Sequence, residues 1–352
     1  MAKIDSLFEV MLNKDASDLH LSEGQPPKVR AHGRISNLDH PVLTRQHMEQ
    51  YLQEICSADR WQHFIEVKDL DFAYGLGDKA RFRANYFFQE NGMGAVFRVI
   101  PSEIKSLDDL NLPKVLRSFC YMNSGLVLVT GPTGSGKSTT LSAMINEINA
   151  KTARHIITIE EPIEFVHPNK RSIICQREVG IDTNSFADGL KNGLRQDCDV
   201  ILVGEMRDYE TISLAVTAAA SGTLVFGTLH TNSAIKTVDR IIDAFPADQQ
   251  AQIRTMLSDC LKGVCAQLLL KTKDKKGRVA CNEILIGTTA LASSIREGNI
   301  GNIRNIIQGG KGMGMQLMDD AIQKELNNGK ISGEEAYLKA TDKTRFSQYA
   351  LA

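Results

Sequence analysis

Apolar residues at Ile4, Leu7, Phe8, Met11 and Leu12 recur at helical spacing and predict an amphipathic first helix, closed by the polar stretch 13–18. The period then falls to two. Asp18-Leu19-His20-Leu21 alternates and predicts a short strand, and residues 29–35, broken at Gly33, predict a strand and a turn. Thr44 suits the N-cap of a helix that carries Met48, Tyr51, Leu52 and Ile55 on one face. Strand signals follow at 70–74, 80–88 and 94–100, with turns at 75–77 and 91–92. Residues 1–100 therefore read as a small α+β domain with an antiparallel sheet. Within residues 81–88, alternation puts Phe82, Ala84, Tyr86 and Phe88 on one face and Arg81, Arg83 and Asn85 on the other. Charged faces mostly line solvent. Two adjacent guanidiniums can also reach a phosphate across an interface, and the pattern leaves both uses open.

Residues 101–112 are polar and bounded by Pro101 and Pro113, which marks a linker. Beyond it the pattern alternates between strands and helices, the signature of an α/β domain over 113–352. Strands are predicted at 126–130, 155–159, 200–203, 224–228 and 280–286. Asp208 suits the N-cap of a helix with Ile212, Ala215, Val216 and Ala219 on one face and Gly222 as its stop. Ile253, Met256, Leu257, Cys260, Leu261 and Val264 read as the stripe of one further helix, and helical signals return from Met315 onward.

One stretch organises this second domain. Gly131-Pro132-Thr133-Gly134-Ser135-Gly136-Lys137-Ser138 fits G-x-x-x-x-G-K-[ST], the phosphate-binding P-loop. The apolar run Leu126-Val127-Leu128-Val129 precedes it, and Leu141, Met144, Ile145 and Ile148 follow at helical spacing. Strand, glycine loop and helix is the context the motif requires. The glycines let successive N–H groups point into one concavity, and the helix adds the positive end of its dipole there. The loop and first turn, Pro132, Thr133, Gly134, Ser135, Gly136, Lys137, Ser138 and Thr139, are the expected ATP-binding set. Lys137 is expected on the β and γ phosphates and the Ser138 hydroxyl on Mg²⁺.

Composition narrows the function classes. The 352 residues are 42% hydrophobic and 24% charged, with a formal net charge of −1, which gives no bulk electrostatic case for nucleic-acid binding. Seven scattered cysteines without a C-x-x-C pair read as reduced thiols, and hence a cytosolic setting. The first residues lack the apolar run of a signal peptide, and no stretch approaches the roughly 20 apolar residues of a membrane span. Membrane association is therefore expected through partners.

Three polar clusters follow predicted strands, where ligands sit in open α/β sheets. Residues 158–164 run into Glu160, Glu161 and Glu164, a set suited to activating water near Mg²⁺ or to lining solvent. Val200-Ile201-Leu202-Val203-Gly204-Glu205 is Walker B-like, with Glu205 placed to hold Mg²⁺ through water, although Gly204 replaces one acid of the usual pair. Gly227-Thr228-Leu229-His230-Thr231-Asn232 ends a strand on a histidine that can hydrogen-bond the γ-phosphate or serve structure.

Together these clusters resemble the PilT-type ATPases of type IV pilus machines, within the bacterial secretion ATPase superfamily. The resemblance rests on residues 130–140 (TGPTGSGKSTT), 158–167 (TIEEPIEFVH), 176–180 (QREVG), 202–208 (LVGEMRD), 227–234 (GTLHTNSA), 239–246 (DRIIDAFP) and 295–298 (IREG), with 17–21 and 81–85 matching too. It implies a PAS-like N-terminal domain and a RecA-like ATPase domain with a mainly parallel sheet, assembled as a homohexamer that hydrolyses ATP with Mg²⁺. It implies that Glu164 activates water, that Glu205 is the Walker B acid, that His230 belongs to a histidine box, and that Arg81, Arg83 and Arg98 approach the nucleotide. The implied partner is the inner-membrane platform protein of the pilus machine, with pilus retraction as the output, no nucleic acid, and no direct membrane insertion.

The chain departs from the family pattern at Glu161, where aspartate is usual, and at Thr223, where a second histidine is usual. It departs again at 195–199 (RQDCD) and in the first half of 290–297 (ALASSIRE). These departures admit an accessory nucleotide-binding subunit with weak hydrolysis. A pilus assembly or type II secretion ATPase is a further reading, disfavoured by the lack of a paired-cysteine zinc site. A hexameric nucleic-acid translocase is disfavoured by the near-neutral charge.

Overall fold

The structure, a computed structural model, describes residues 2–31, 33–77, 79–100 and 103–350. Pro101 and Ser102 of the expected linker lie outside the described residues. The chain forms two compact units: one of Met1–Glu103 with Glu161–Val166, the other of Ile104–Glu160 with His167–Ala352.

The first unit opens with helix α1 (Asp5–Asn13), then strands β1 (Ala16–Ser22), β2 (Lys28–Ala31) and β3 (Arg34–Asn37). Helices α2 (Arg45–Glu54) and α3 (Ala58–Val67) lead into β4 (Asp69–Leu76), β5 (Ala80–Gln89) and β6 (Gly92–Ile100). The sheet order is β3-β2-β1-β6-β5-β4, antiparallel at each junction. Phe82, Ala84 and Tyr86 turn inward as the alternation predicts. Phe8 of α1 stacks on Phe82 with ring centroids 4.3 Å apart and meets Phe97 edge-on at 5.0 Å. Such pairs add about 0.5–1.5 kcal/mol beyond area burial. Thr44 caps α2 by accepting the His47 N–H. Helix α3 has no counterpart in the predicted pattern, because only Phe64 of its residues is fully buried and so no continuous apolar stripe marks it.

The second unit begins in the segment expected as linker. Leu107 is buried beside α4 (Val115–Cys120), and Leu110 and Leu112 pack against the same core. Then come β7 (Gly125–Thr130), α5 (Lys137–Lys151), β8 (His155–Glu160) and β9 (Ile173–Glu178). They are followed by α6 (Phe186–Gly193), β10 (Val200–Val203), α7 (Tyr209–Ala220), β11 (Leu224–Leu229), α8 (Ala234–Asp243) and α9 (Gln250–Cys260). Strands β12 (Leu261–Lys271) and β13 (Arg278–Ile286) complete the sheet, and α10 (Thr289–Arg296), α11 (Ile303–Gly309), α12 (Met318–Asn327) and α13 (Gly333–Lys339) follow.

The sheet order is β9-β8-β10-β11-β7-β12-β13, with β13 alone antiparallel to its neighbour. Both faces of β7 are covered, which is why its sequence is continuously apolar. Leu126 and Leu128 enter one core with α7, α8 and α9, while Val127 and Val129 enter the other with α4 and α5.

One expected helix is corrected. The apolar stripe over 253–264 is not one helix: α9 stops at Cys260, and Leu261 starts a strand that pairs with β7 in parallel. Period alone cannot separate the two, since a strand buried on both faces is apolar at every spacing. Strand β9 is hidden for a different reason: it is a half-exposed edge strand, Ile173-Ile174-Cys175-Gln176-Arg177-Glu178, with neither an apolar run nor a clean alternation to mark it.

Candidate functional site

Parallel strands converge their carboxyl ends, so whatever follows β7, β11 and β10 shares one edge. Thr130 stands opposite Leu229, and Val203 opposite Gly227. The P-loop, His230 and Glu205 are the next residues along these three strands.

The loop turns through Gly131, Gly134 and Gly136, which hold φ of +147°, +76° and +85°, a region that favours glycine. Gly136 is the N-cap of α5. Lys137 folds back on its own loop, and its Nζ donates to the Gly131 and Pro132 carbonyls at 2.9 and 3.2 Å. The Ser135 hydroxyl is buried with no hydrogen-bond partner. An orphaned donor in a glycine-built concavity at a helix N-terminus fits an anionic phosphate.

Glu205 leaves β10 into a cluster. Its carboxylate meets Arg207 Nε at 2.6 Å and His230 Nε2 at 2.8 Å, and its side chain is 17% exposed. Burial alone would raise this carboxyl, but the hydrogen bond and charge of Arg207, with His230, outweigh it and hold it below the usual range. Glu205, Arg207, His230, Thr231 and Arg240 line a cavity of about 320 Å³ with Met206 and Leu229. Gly204 sits where an added Cβ would stand 3.0 Å from the Ile159 carbonyl, so the tight approach of β8 explains the glycine in the Walker B-like run. Among the described residues, no group of three His, Cys, Asp or Glu side chains is arranged to hold a metal.

The remaining predicted site residues fall in the other unit. Glu164 is half-buried and Glu161 exposed, within the Glu161–Val166 segment that groups with the N-terminal unit. Arg83 and Arg98 are opposite each other on β5 and β6, and Arg98 is opposite Asp18 on β1, which is opposite Arg30 on β2. The Asp18 carboxylate accepts from Arg98 Nε at 2.8 Å and lies 3.9 Å from Arg30 Nε. Burial works against its charge, yet the bonds from Ser17 and Arg98 keep it below the usual carboxylate range. Arg83 Nε lies 3.7 Å from Asp71, and Arg81 stands two residues along β5 on the same face. This outer face thus carries four guanidiniums against Asp18 and Asp71.

Thr223 immediately precedes β11, at the end opposite His230, and its carbonyl accepts the Gly125 N–H. About 20 Å of strand separates the two. Thr223 thus lies at the end of β11 away from the P-loop and His230. Asp199 of the divergent 195–199 run accepts the His155 N–H at the same far end.

Sequence reasoning missed His167 and Gln267. His167 Nε2 faces the Ser142 hydroxyl at 3.4 Å, and burial, with the nearby Lys170 charge, pushes its pKa down to about 4. The unfolded chain takes up this proton near pH 6.5 and the folded chain only near 4, so stability is full above 6.5 and falls as pH drops between them. The expected loss is roughly 3 kcal/mol by pH 4. Denaturant unfolding of the second unit should therefore weaken more steeply from pH 6.5 to 4.5 in the wild type than in His167→Gln; parallel curves would remove His167 as the cause. Gln267 is the single strongly polar side chain within the run Val264 to Leu270, a signal that could have found it.

The model of the family described as Type II/IV secretion system protein matches residues 3–304. The chain is 46% identical over 337 residues to a protein of Pseudomonas aeruginosa named Type IV pilus retractation ATPase PilT, covering 96% of this chain and 98% of the relative. It is 38% identical to the Type IV pilus ATPase PilU of the same organism, over 96% of this chain and 88% of that one. The crystal structure of the pilus retraction motor PilT with bound ADP superposes with a TM-score of 0.91 at 43% identity, over 99% of each chain.

Proposed function

The chain belongs to the Type II/IV secretion system protein family, and on that premise we propose that it is an ATP-hydrolysing motor that drives type IV pilus retraction and twitching motility. The observation that carries this reading is the P-loop standing beside the Glu205–His230 pair on one sheet edge, in a chain similar along nearly its whole length to a retraction ATPase.

In this reading the phosphates enter the loop concavity, and Lys137 exchanges the Gly131 and Pro132 carbonyls for phosphate oxygens. Mg²⁺, when bound, neutralises phosphate charge; the Ser138 hydroxyl would hold it directly and Glu205 through water. Glu205 suits that task because Arg207 and His230 keep it ionised. His230, on the neighbouring strand, can report the γ-phosphate to Glu205 through their shared bond. Glu164 orients and deprotonates the attacking water. Arg81 and Arg83 supply positive charge as it builds on the transferring phosphoryl group, a contribution of roughly 10³–10⁵ in comparable enzymes.

The residues proposed for catalysis come from both units of the chain, and the reading includes a homohexameric ring in which movement of the N-terminal unit gates hydrolysis. No described helix is long and apolar enough to cross a membrane. The motor would act at the cytoplasmic face of the inner membrane, held there by the pilus platform protein, without nucleic acid. Expression in Pseudomonas aeruginosa lacking its own PilT tests this. Restored twitching that requires Lys137 supports retraction, whereas an active ATPase that restores none would assign the motor to a different secretion machine.

A further inference from the structure

Strand β12 is longer than the strand it pairs with. Its last partner on β7 is Ala266, opposite Thr130. The next residue, Gln267, therefore flanks the P-loop instead of a strand. It is 2% exposed and its side chain makes three hydrogen bonds: Nε2 donates to the Ser135 carbonyl at 2.6 Å, while Oε1 accepts from the Thr140 hydroxyl at 2.8 Å and from Asn282 Nδ2 at 3.0 Å. The two donors on Oε1 fix which way the amide faces. Asn282 is the cross-strand neighbour of Gln267 on β13, and its backbone carbonyl is held by Gln316. The loop also has no room to shift toward this strand. A Cβ on Gly136 would stand 2.9 Å from Gln267 Nε2, and one on Gly131 would collide with the Gln267 carbonyl.

We infer that Gln267 is a positioning residue that aims the phosphate-binding N–H groups of the P-loop. A trans peptide holds its C=O and the following N–H on opposite sides. Fixing the Ser135 carbonyl onto β12 turns the Gly136 N–H to the other side, into the loop concavity. The Thr140 bond fixes the first turn of α5, whose N-terminus closes that concavity, to the same amide. Gln267 touches no phosphate; it acts by denying the loop the peptide flip that would point a carbonyl at an anion. The inference rests on reading the loop as a nucleotide site.

The test is ADP binding across pH by purified full-length wild type, Gln267→Glu, Gln267→Met and Lys137→Ala. Glutamate keeps the shape and both acceptor bonds. When ionised it cannot donate to Ser135, and when protonated it can, and burial raises the pH at which that proton is lost. Gln267→Glu should bind ADP about 10-fold more weakly at pH 8 and recover toward wild type as pH falls to 6. Gln267→Met, similar in length but without a donor, should lose about the same at every pH. In nucleotide-free protein, amide exchange at Ser135 and Gly136 should quicken in Gln267→Met. Wild-type affinity in Gln267→Met, or a Gln267→Glu loss that does not recover at lower pH, overturns the inference. If wild type itself binds no ADP, or binds it no better than Lys137→Ala, the nucleotide-site reading fails first.

Discussion

Lys137→Ala is expected to cut steady-state ATP hydrolysis by on the order of 10³-fold. The lysine is the one cation supplied by the loop itself, and its Nζ already rests 2.9 Å from the Gly131 carbonyl at the rim of the concavity. Alanine removes a charge-assisted contact to the phosphates and leaves the loop itself without a cation. Stability should fall by only about 1–3 kcal/mol, the cost of losing the lysine's bonds to the Gly131 and Pro132 carbonyls. A melting temperature within a few degrees of wild type, beside a lost rate, separates chemistry from folding. A variant that hydrolyses ATP within threefold of wild type would mean that the loop is not the phosphate site.

Glu205→Gln should lower kcat by about 10²–10³ while leaving ADP affinity within a few-fold. Glutamine preserves the shape and can still meet His230, but it carries no charge to hold Mg²⁺ or to balance Arg207. The Glu205 carboxyl is poised for this role by its neighbours: Arg207 and His230 outweigh its burial and keep it ionised. Because its folded pKa is depressed, the stability it contributes is present above the usual carboxylate range and is lost as pH falls through the folded value. Stopped-flow nucleotide binding beside single-turnover hydrolysis separates the two steps. An equal loss in both would assign Glu205 to binding instead.

Where one physical signal dominated, the fold was legible from the pattern. Strict alternation in β5 put Phe82, Ala84 and Tyr86 inside. The apolar run of β7 followed by three glycines and a lysine announced both a buried strand and its ligand loop. Side-chain caps at Thr44 and Asp208 marked helix starts because each accepts an N–H three residues on. Legibility failed where packing, not local sequence, decides. Leu261 to Leu270 could continue a helix by composition, and only pairing with β7 makes it a strand. The site divided along the same line. Residues proposed to bear chemistry within a motif, such as Lys137 and Glu205, stand out one by one. Gln267 meets the Ser135 carbonyl, 132 residues away in sequence, and no local spacing encodes that contact. The division of the chain likewise escaped the pattern, since Glu161–Val166 directly follows β8 in sequence yet groups with the N-terminal unit. The Thr223 departure looked like lost chemistry in sequence. In space it sits at the far end of β11 from His230.

The central claim is that this chain hydrolyses ATP at its P-loop with Glu164 activating the water. Steady-state ATP hydrolysis in the presence of Mg²⁺ by the purified protein, beside Lys137→Ala and Glu164→Gln, tests it most directly. The account predicts turnover by wild type and loss of most of that rate in both variants, with ADP binding retained by Glu164→Gln. A wild type that binds ATP yet turns it over no faster than Glu164→Gln would contradict the motor and leave an accessory nucleotide-binding subunit in its place.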